Sequence, residues 1–200
     1  MPDDVRPWVT GSRRAGNVEA QALAIDGPLL LSLRRFTDGR GEFVETYNLR
    51  DFHALGITEV FVQDNQSRST TIGTVRGLHF QAAPHSQAKL VRVLRGRVLD
   101  VVVDLRHRSP TFGQHAAAEL SSDNGLMLYV PTGFAHGFVT REPDTEVAYK
   151  VSALYAPDCD GGIAWDDPAL GIVWGVDPAT AILSDKDRRL PRLAELGPLF

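Results

Sequence analysis

Short runs of Val, Leu and Phe recur along the chain with glycine or proline between them, which is the pattern of many antiparallel strands. The clearest stretch is KLVRVLRGRVLDVVVDLR. Lys89 to Leu94 alternates loosely, Arg95-Gly96-Arg97 can turn, and Val98 to Val103 is an almost unbroken β-branched run. That arrangement predicts a tight hairpin whose second strand is buried on both faces. LMLYVPTGFAHGFVT predicts another strand, interrupted at Pro131-Thr132-Gly133 and resumed at Ala135. NLRDFHALGI reads differently: Leu49, Phe52 and Leu55 share a helical face and Gly56 supplies a stop. A further short helix is expected within DKDRRLPRLAEL. These periodicities together predict a mostly β sandwich or barrel with a few short helices.

Composition narrows the classes of function. A chain of 200 residues can bury one full core, so residues 18–200 are expected to form a single domain. Residues 1–17 mix acids, arginines, proline and glycine, offer little to bury, and are expected to be a flexible tail. The same segment lacks the apolar centre of a secretory signal, and PLLLSL from Pro28 is far too short to span a bilayer. A net charge of -4 gives no basic face for nucleic acid. The single cysteine, Cys159, excludes an internal disulfide framework and a Cys/His zinc site, and it suits a reducing, cytoplasmic compartment.

Two segments carry candidate chemistry. Gly125, Pro131, Gly133 and His136 in GLMLYVPTGFAHG follow G-x5-P-x-G-x2-H, which resembles the second half of the cupin signature. In the first half a metal-binding cupin has His-x-His, then Glu, then six residues and Gly. The corresponding positions here hold His79, Gln81, and Lys89 followed by six residues and Gly96. An ammonium among the ligands repels a divalent ion, so no metal is expected at this site. His79 becomes a candidate general base, since imidazole titrates near physiological pH. Lys89 becomes a candidate fixed charge for an oxyanion.

A longer set of motifs sharpens the resemblance. FVQDNQS, VRGLHFQ, QAKLVRVLRG, DVVVDLR, SPTFG and VPTGFAHGF, followed by YK, W-x-DP and LSDKD, run in order from about Gly27 to Leu193. The chain thereby resembles the dTDP-4-dehydrorhamnose 3,5-epimerase family, within the cupin superfamily. The resemblance implies a cupin-type double-stranded β-helix (jelly-roll) barrel with no cofactor. It implies a dTDP-4-keto-6-deoxyhexose substrate whose C4 ketone acidifies the hydrogens at C3 and C5, in dTDP-rhamnose or antibiotic-sugar biosynthesis. It further implies His79 as the base, Asp187 as its carboxylate partner, Tyr149 as the proton donor and Lys89 near O4. Arg76 and His136 match substrate-contacting positions. Arg40, Glu45, Asp64, Asn65, Gln66 and Lys186 match nucleotide-binding positions, and Tyr155 matches an aromatic that stacks near the ligand. Arg40 and Glu45 would reach a neighbouring subunit, implying a homodimer with exchanged N-terminal strands.

Taken singly, each residue has an ordinary structural reading. A lone strand histidine is commonly a hydrogen-bonded core residue, Tyr149 and Tyr155 suit half-buried sheet positions, and Asp187 suits a helix start. Joint occurrence favours the functional reading. Three alternatives keep the same fold: an epimerase acting at one carbon only, a non-catalytic nucleotide-sugar-binding cupin, and a metal-dependent oxygenase, against which Gln81 and Lys89 argue.

Overall fold

The computed structural model describes residues 11–200. The strands are β1 (Ser12–Ala15), β2 (Val18–Ala22), β3 (Leu29–Leu33), β4 (Arg35–Asp38) and β5 (Gly41–Val44), followed by helix α1 (Leu49–Ala54). After it come β6 (Gln63–Ser69), β7 (Val75–Gln81), β8 (Lys89–Arg95), β9 (Arg97–Asp104) and β10 (His115–Ser121). The last are β11 (Leu126–Val130), β12 (Phe134–Thr140), β13 (Thr145–Val151) and β14 (Asp160–Gly162). Of the segment expected to be a tail, residues 1–10 lie outside the described residues, while Ser12–Ala15 form β1 and pair with β2.

The strands assemble into a seven-stranded sheet, β1-β2-β3-β11-β8-β13-β6, and a five-stranded sheet, β10-β9-β12-β7-β14. Strands β4 and β5 form a separate hairpin. The two large sheets face each other over an apolar layer that includes Val91 and Val93 from β8, Val98 and Val102 from β9, and Phe134 and Phe138 from β12. This is the mostly β sandwich that the alternation predicts.

Strand β9 is buried on both faces, as expected, and the reason is visible in its neighbours. Val98 and Val102 face the other sheet, whereas Leu99, Val101 and Val103 pack under Ile163, Trp165 and Trp174 of the C-terminal segment. The predicted hairpin of β8 with β9 is not formed. Both edges of β8 are taken by β11 and β13, and both edges of β9 by β10 and β12. The Arg95–Arg97 turn therefore carries the chain from one sheet to the other, through Gly96 at a φ of 78° where a Cβ would collide with Thr145. The break at Pro131–Gly133 does the same between β11 and β12.

Helix α1 forms where predicted. Asn48 caps it by accepting from the backbone N–H groups of Arg50 and Asp51, and Gly56 follows it at a φ of 91°. Phe52, Leu55 and the nearby Ile57 are fully buried against the outer face of the seven-stranded sheet, each contributing roughly 1.5–3 kcal/mol of burial. Leu49, expected on the same face, is instead exposed. Within DKDRRLPRLAEL the expected helix is replaced by two single 3-10 turns, at Asp187–Arg189 and Leu193–Glu195. Pro191 separates them and forbids a longer helix. Among the described residues no helix is long and apolar enough to cross a membrane.

Candidate active site

The sandwich opens at one end into a cavity of about 420 Å³. Strand β7 supplies Arg76 and His79, β8 supplies Lys89, β12 supplies His136 and β13 supplies Tyr149. His79 and His136 stand directly opposite one another on paired strands. His79 and Arg76 thus belong to one sheet, Lys89 and Tyr149 to the other.

His79 Nε2 lies 2.6 Å from Asp187 Oδ1. The chain brings these residues together by stitching its C-terminal segment alongside the start of β7. Val75 N–H donates to Ile182 C=O at 2.9 Å, and Ile182 N–H donates to Gly73 C=O at 3.0 Å. Burial alone would raise the Asp187 carboxyl. Hydrogen bonding to His79, together with bonds from Ser184 and the Gly77 backbone, outweighs burial and holds it below its ordinary value. A carboxylate in that position fixes the orientation of the imidazole.

Lys89 is only 8% exposed, and its Nζ donates to the His79 carbonyl at 3.3 Å. Burial lowers its pKa from 10.5 to about 8, with Asp100 and Asp160 working in the opposite direction. The Tyr149 phenol is pushed up, chiefly by burial, so it stays protonated at neutral pH and is available as a donor. Arg76 is braced by Ser69 Oγ at 3.1 Å and the Arg68 carbonyl at 3.2 Å.

Two carboxylates complete the arrangement, and sequence reading did not single out either. Asp100 is fully buried on β9, with Oδ1 2.8 Å from His136 Nε2 and Oδ2 without a hydrogen-bond partner among the described residues. Its signal was a lone acid inside a run of β-branched residues. Asp160, at the start of β14, accepts from the Tyr155 hydroxyl at 3.1 Å and pairs with Lys186 Nζ through the same oxygen. Tyr155 therefore stands at the rim, joined to the cavity through Asp160 and Lys186. Gln63, also missed, accepts from Tyr155 N–H and donates to Asn65.

Other predicted residues are placed elsewhere in the chain. Along β6, Ser67 and Ser69 turn towards the cavity side, whereas Asp64, Gln66 and Arg68 alternate to the exposed face. There Asp64 pairs with Lys150 at 2.8 Å and Gln66 donates to Glu146 at 3.0 Å. Asp64, Asn65 and Gln66 border a second depression of about 390 Å³. Arg40, at the tip of the β4–β5 hairpin, pairs with Asp38, and Glu45 accepts from Asn48. Neither lines the His79 cavity.

In the cupin pattern Gln81 holds the second ligand position, and its amide is spent on backbone groups of two loops. Among the described residues no group of three His, Cys, Asp or Glu side chains is arranged to hold a metal ion.

Comparison with known proteins agrees with this architecture. Residues 22–195 match the family model for dTDP-4-dehydrorhamnose 3,5-epimerase. A dTDP-4-dehydrorhamnose 3,5-epimerase of Sinorhizobium fredii is 49% identical over 90% of this chain and 92% of its own. The crystal structure of the enzyme of that name from Bacillus anthracis, with TDP and PPi bound, superposes with a TM-score of 0.85. It is 48% identical and covers 88% of this chain and 99% of its own. ChmJ, a 3'-monoepimerase from Streptomyces bikiniensis solved with dTDP-quinovose, is more distant, at 32% identity and a TM-score of 0.79 over 86% of each chain.

Proposed function

This chain belongs to the dTDP-4-dehydrorhamnose 3,5-epimerase family, and we propose that it inverts both C3 and C5 of dTDP-4-keto-6-deoxyglucose by proton transfer through an enolate. One observation carries the reading. The His79–Asp187 pair and Tyr149 enter a single cavity from facing sheets, with Lys89 buried at the same site.

The chemistry follows from that geometry. A ketone at C4 makes the hydrogens on both neighbouring carbons acidic. His79 takes one as general base, and Asp187 stabilises the imidazolium that forms. Negative charge then gathers on O4, where the Lys89 ammonium, held in a site of low polarity, lowers its energy more than it would in water. Tyr149 returns a proton to the opposite face of the ring, and the configuration inverts. His136, held by Asp100, contacts the sugar. No electron leaves the substrate, so the residues present account for the whole reaction.

Arg76 and Lys186 would meet the diphosphate with charge-assisted donors, and Tyr155 would stack beside the nucleoside. In this arrangement Asn65 and Gln63 are better placed on β6 than Asp64 or Gln66. The protein is further proposed to act as a cytoplasmic homodimer. The β4–β5 hairpin, which pairs with no other strand among the described residues, would carry Arg40 and Glu45 into the neighbour's site. Greater identity to the 3,5-epimerases than to ChmJ supports inversion at both carbons.

The test is proton NMR of dTDP-4-keto-6-deoxyglucose with the purified protein in deuterated water. Loss of signal at both C3 and C5 is expected. Loss at one carbon only would make the protein a mono-epimerase. Loss at neither, with dTDP still bound, would leave a nucleotide-sugar-binding cupin.

A further inference from the structure

Gln81 closes β7 two residues beyond His79, on the same side of the strand, and is 4% exposed. A buried primary amide must find partners for its donors and acceptor, and where it finds them shows what it holds together. Gln81 Nε2 donates to the carbonyl of His85 and, at 3.0 Å, to that of Leu154. Its Oε1 accepts from Ala156 N–H at 2.9 Å. One side chain therefore grips the loop between β7 and β8 and, on both sides of Tyr155, the loop that follows β13.

Tyr155 itself is 58% exposed and buries little apolar surface of its own. Its remaining ties are a backbone bond to Gln63 at 3.3 Å and its hydroxyl bond to Asp160. Asp160 is in turn the backbone partner of Gln81 across β7 and β14, and it pairs with Lys186. Gln81 is thus the common anchor of the Tyr155–Asp160–Lys186 cluster at the rim, and it is attached to the strand that carries His79.

We propose that Gln81 is a positioning residue that fixes the distance between the nucleotide-holding rim and the base. It acts through Tyr155 and touches no substrate itself. This rests on the epimerase reading above, which gives Tyr155 and Lys186 to the nucleotide moiety. The amide in a former ligand position of the barrel would then set where the sugar lies instead of binding an ion.

The test compares wild type with Gln81→Met, which keeps the length and apolar bulk of the side chain and loses its hydrogen bonds. Steady-state kinetics on dTDP-4-keto-6-deoxyglucose and calorimetric binding of dTDP are measured on both. Losing several buried hydrogen bonds at a nucleotide-holding loop should raise KM about tenfold or more and weaken dTDP binding in parallel, while kcat falls by less than about threefold. Adding Tyr155→Ala to Gln81→Met should weaken dTDP binding less than Tyr155→Ala does in wild type, because the ring has already lost its placement. An unchanged KM, equal effects on kcat and KM, or full additivity with Tyr155→Ala would overturn the proposal. If Gln81→Met does not fold, Gln81→Asn, which retains the amide one methylene short of its partners, is put to the same measurements and criteria. The calorimetric arm needs no turnover, so wild type that binds dTDP but exchanges no hydrogen would defeat the epimerase reading alone.

Discussion

His79 and Tyr149 reach one cavity from facing sheets, His79 on β7 and Tyr149 on β13. In the proposed reaction a ring carbon lying between them would have a proton acceptor on one side and a donor on the other, which is what inversion demands and what simple enolisation does not. The two groups also differ in their environment. His79 is joined to a carboxylate, whereas the Tyr149 hydroxyl is held protonated mainly by burial. In the proposed reaction these environments suit His79 to accept a proton and Tyr149 to give one.

Replacing the base should stop the reaction at its first step. His79→Ala is expected to lower hydrogen exchange at both C3 and C5 by about 10²–10⁴-fold, with dTDP binding largely retained. Exchange is read by NMR in deuterated water and binding by calorimetry. Undiminished exchange would remove His79 from the role.

Removing the donor should separate two events that wild type couples. Tyr149→Phe is expected to slow formation of inverted product more than it slows loss of the C3 and C5 signals, because the base is intact and only the returning proton is missing. Parallel time courses of exchange and inversion check this, and equal slowing would refute it.

Lys89 predicts a pH profile. Its pKa of about 8 means that the ammonium, and with it the stabilisation of the enolate, is lost as pH rises through that value. Activity should therefore fall on the alkaline side with a midpoint near pH 8. Lys89→Met should lower kcat by about 10²–10³-fold, the scale of losing one oxyanion donor, and abolish that alkaline limb. The contribution of Lys89 to folding stability should run the other way. Between about pH 8 and 10.5 the unfolded chain keeps a proton that the folded chain has released, so that contribution rises with pH. Denaturation of wild type and Lys89→Met across this range would show the difference.

At the C-terminal end of β9, Asp104 is a buried carboxylate outside the lining of the His79 cavity. Burial opposes its ionisation, yet Arg106, Ser109 and Thr111 bond to it at 2.5–2.9 Å and bring its pKa down to about 2. The stability it supplies is complete above its unfolded value of 3.8 and is lost as pH falls towards 2. Asp104→Asn should cost about 1–3 kcal/mol at neutral pH, measured by urea denaturation, and should flatten the acid dependence.

Much of this was legible in the chain. Alternation and β-branching placed β8, β9, β11 and β12, Gly56 marked the end of the helix, and the spacing of His79, Lys89 and His136 picked out residues that line one cavity. What escaped was whatever depends on pairing. The turn at Gly96 carries no sign of whether the next strand lies beside its predecessor or crosses to the facing sheet, since both need a positive φ. Leu49 satisfies a helical period while pointing at solvent. Asp100 gains meaning only from His136, 36 positions on, and Asp160 from Lys186, 26 positions on. Asp64 and Gln66 occupy the outward phase of β6, a parity that QDNQS alone does not reveal.

The pairing of His79 with Asp187 spans 108 positions of the chain. During synthesis the strand bearing His79 emerges long before the segment bearing Asp187, and the sheets themselves interleave early and late strands. The His79–Asp187 contact can form only after the segment carrying Asp187 has docked beside β7. Contacts of such long sequence separation also make for slow folding, on the order of milliseconds to seconds for β architectures.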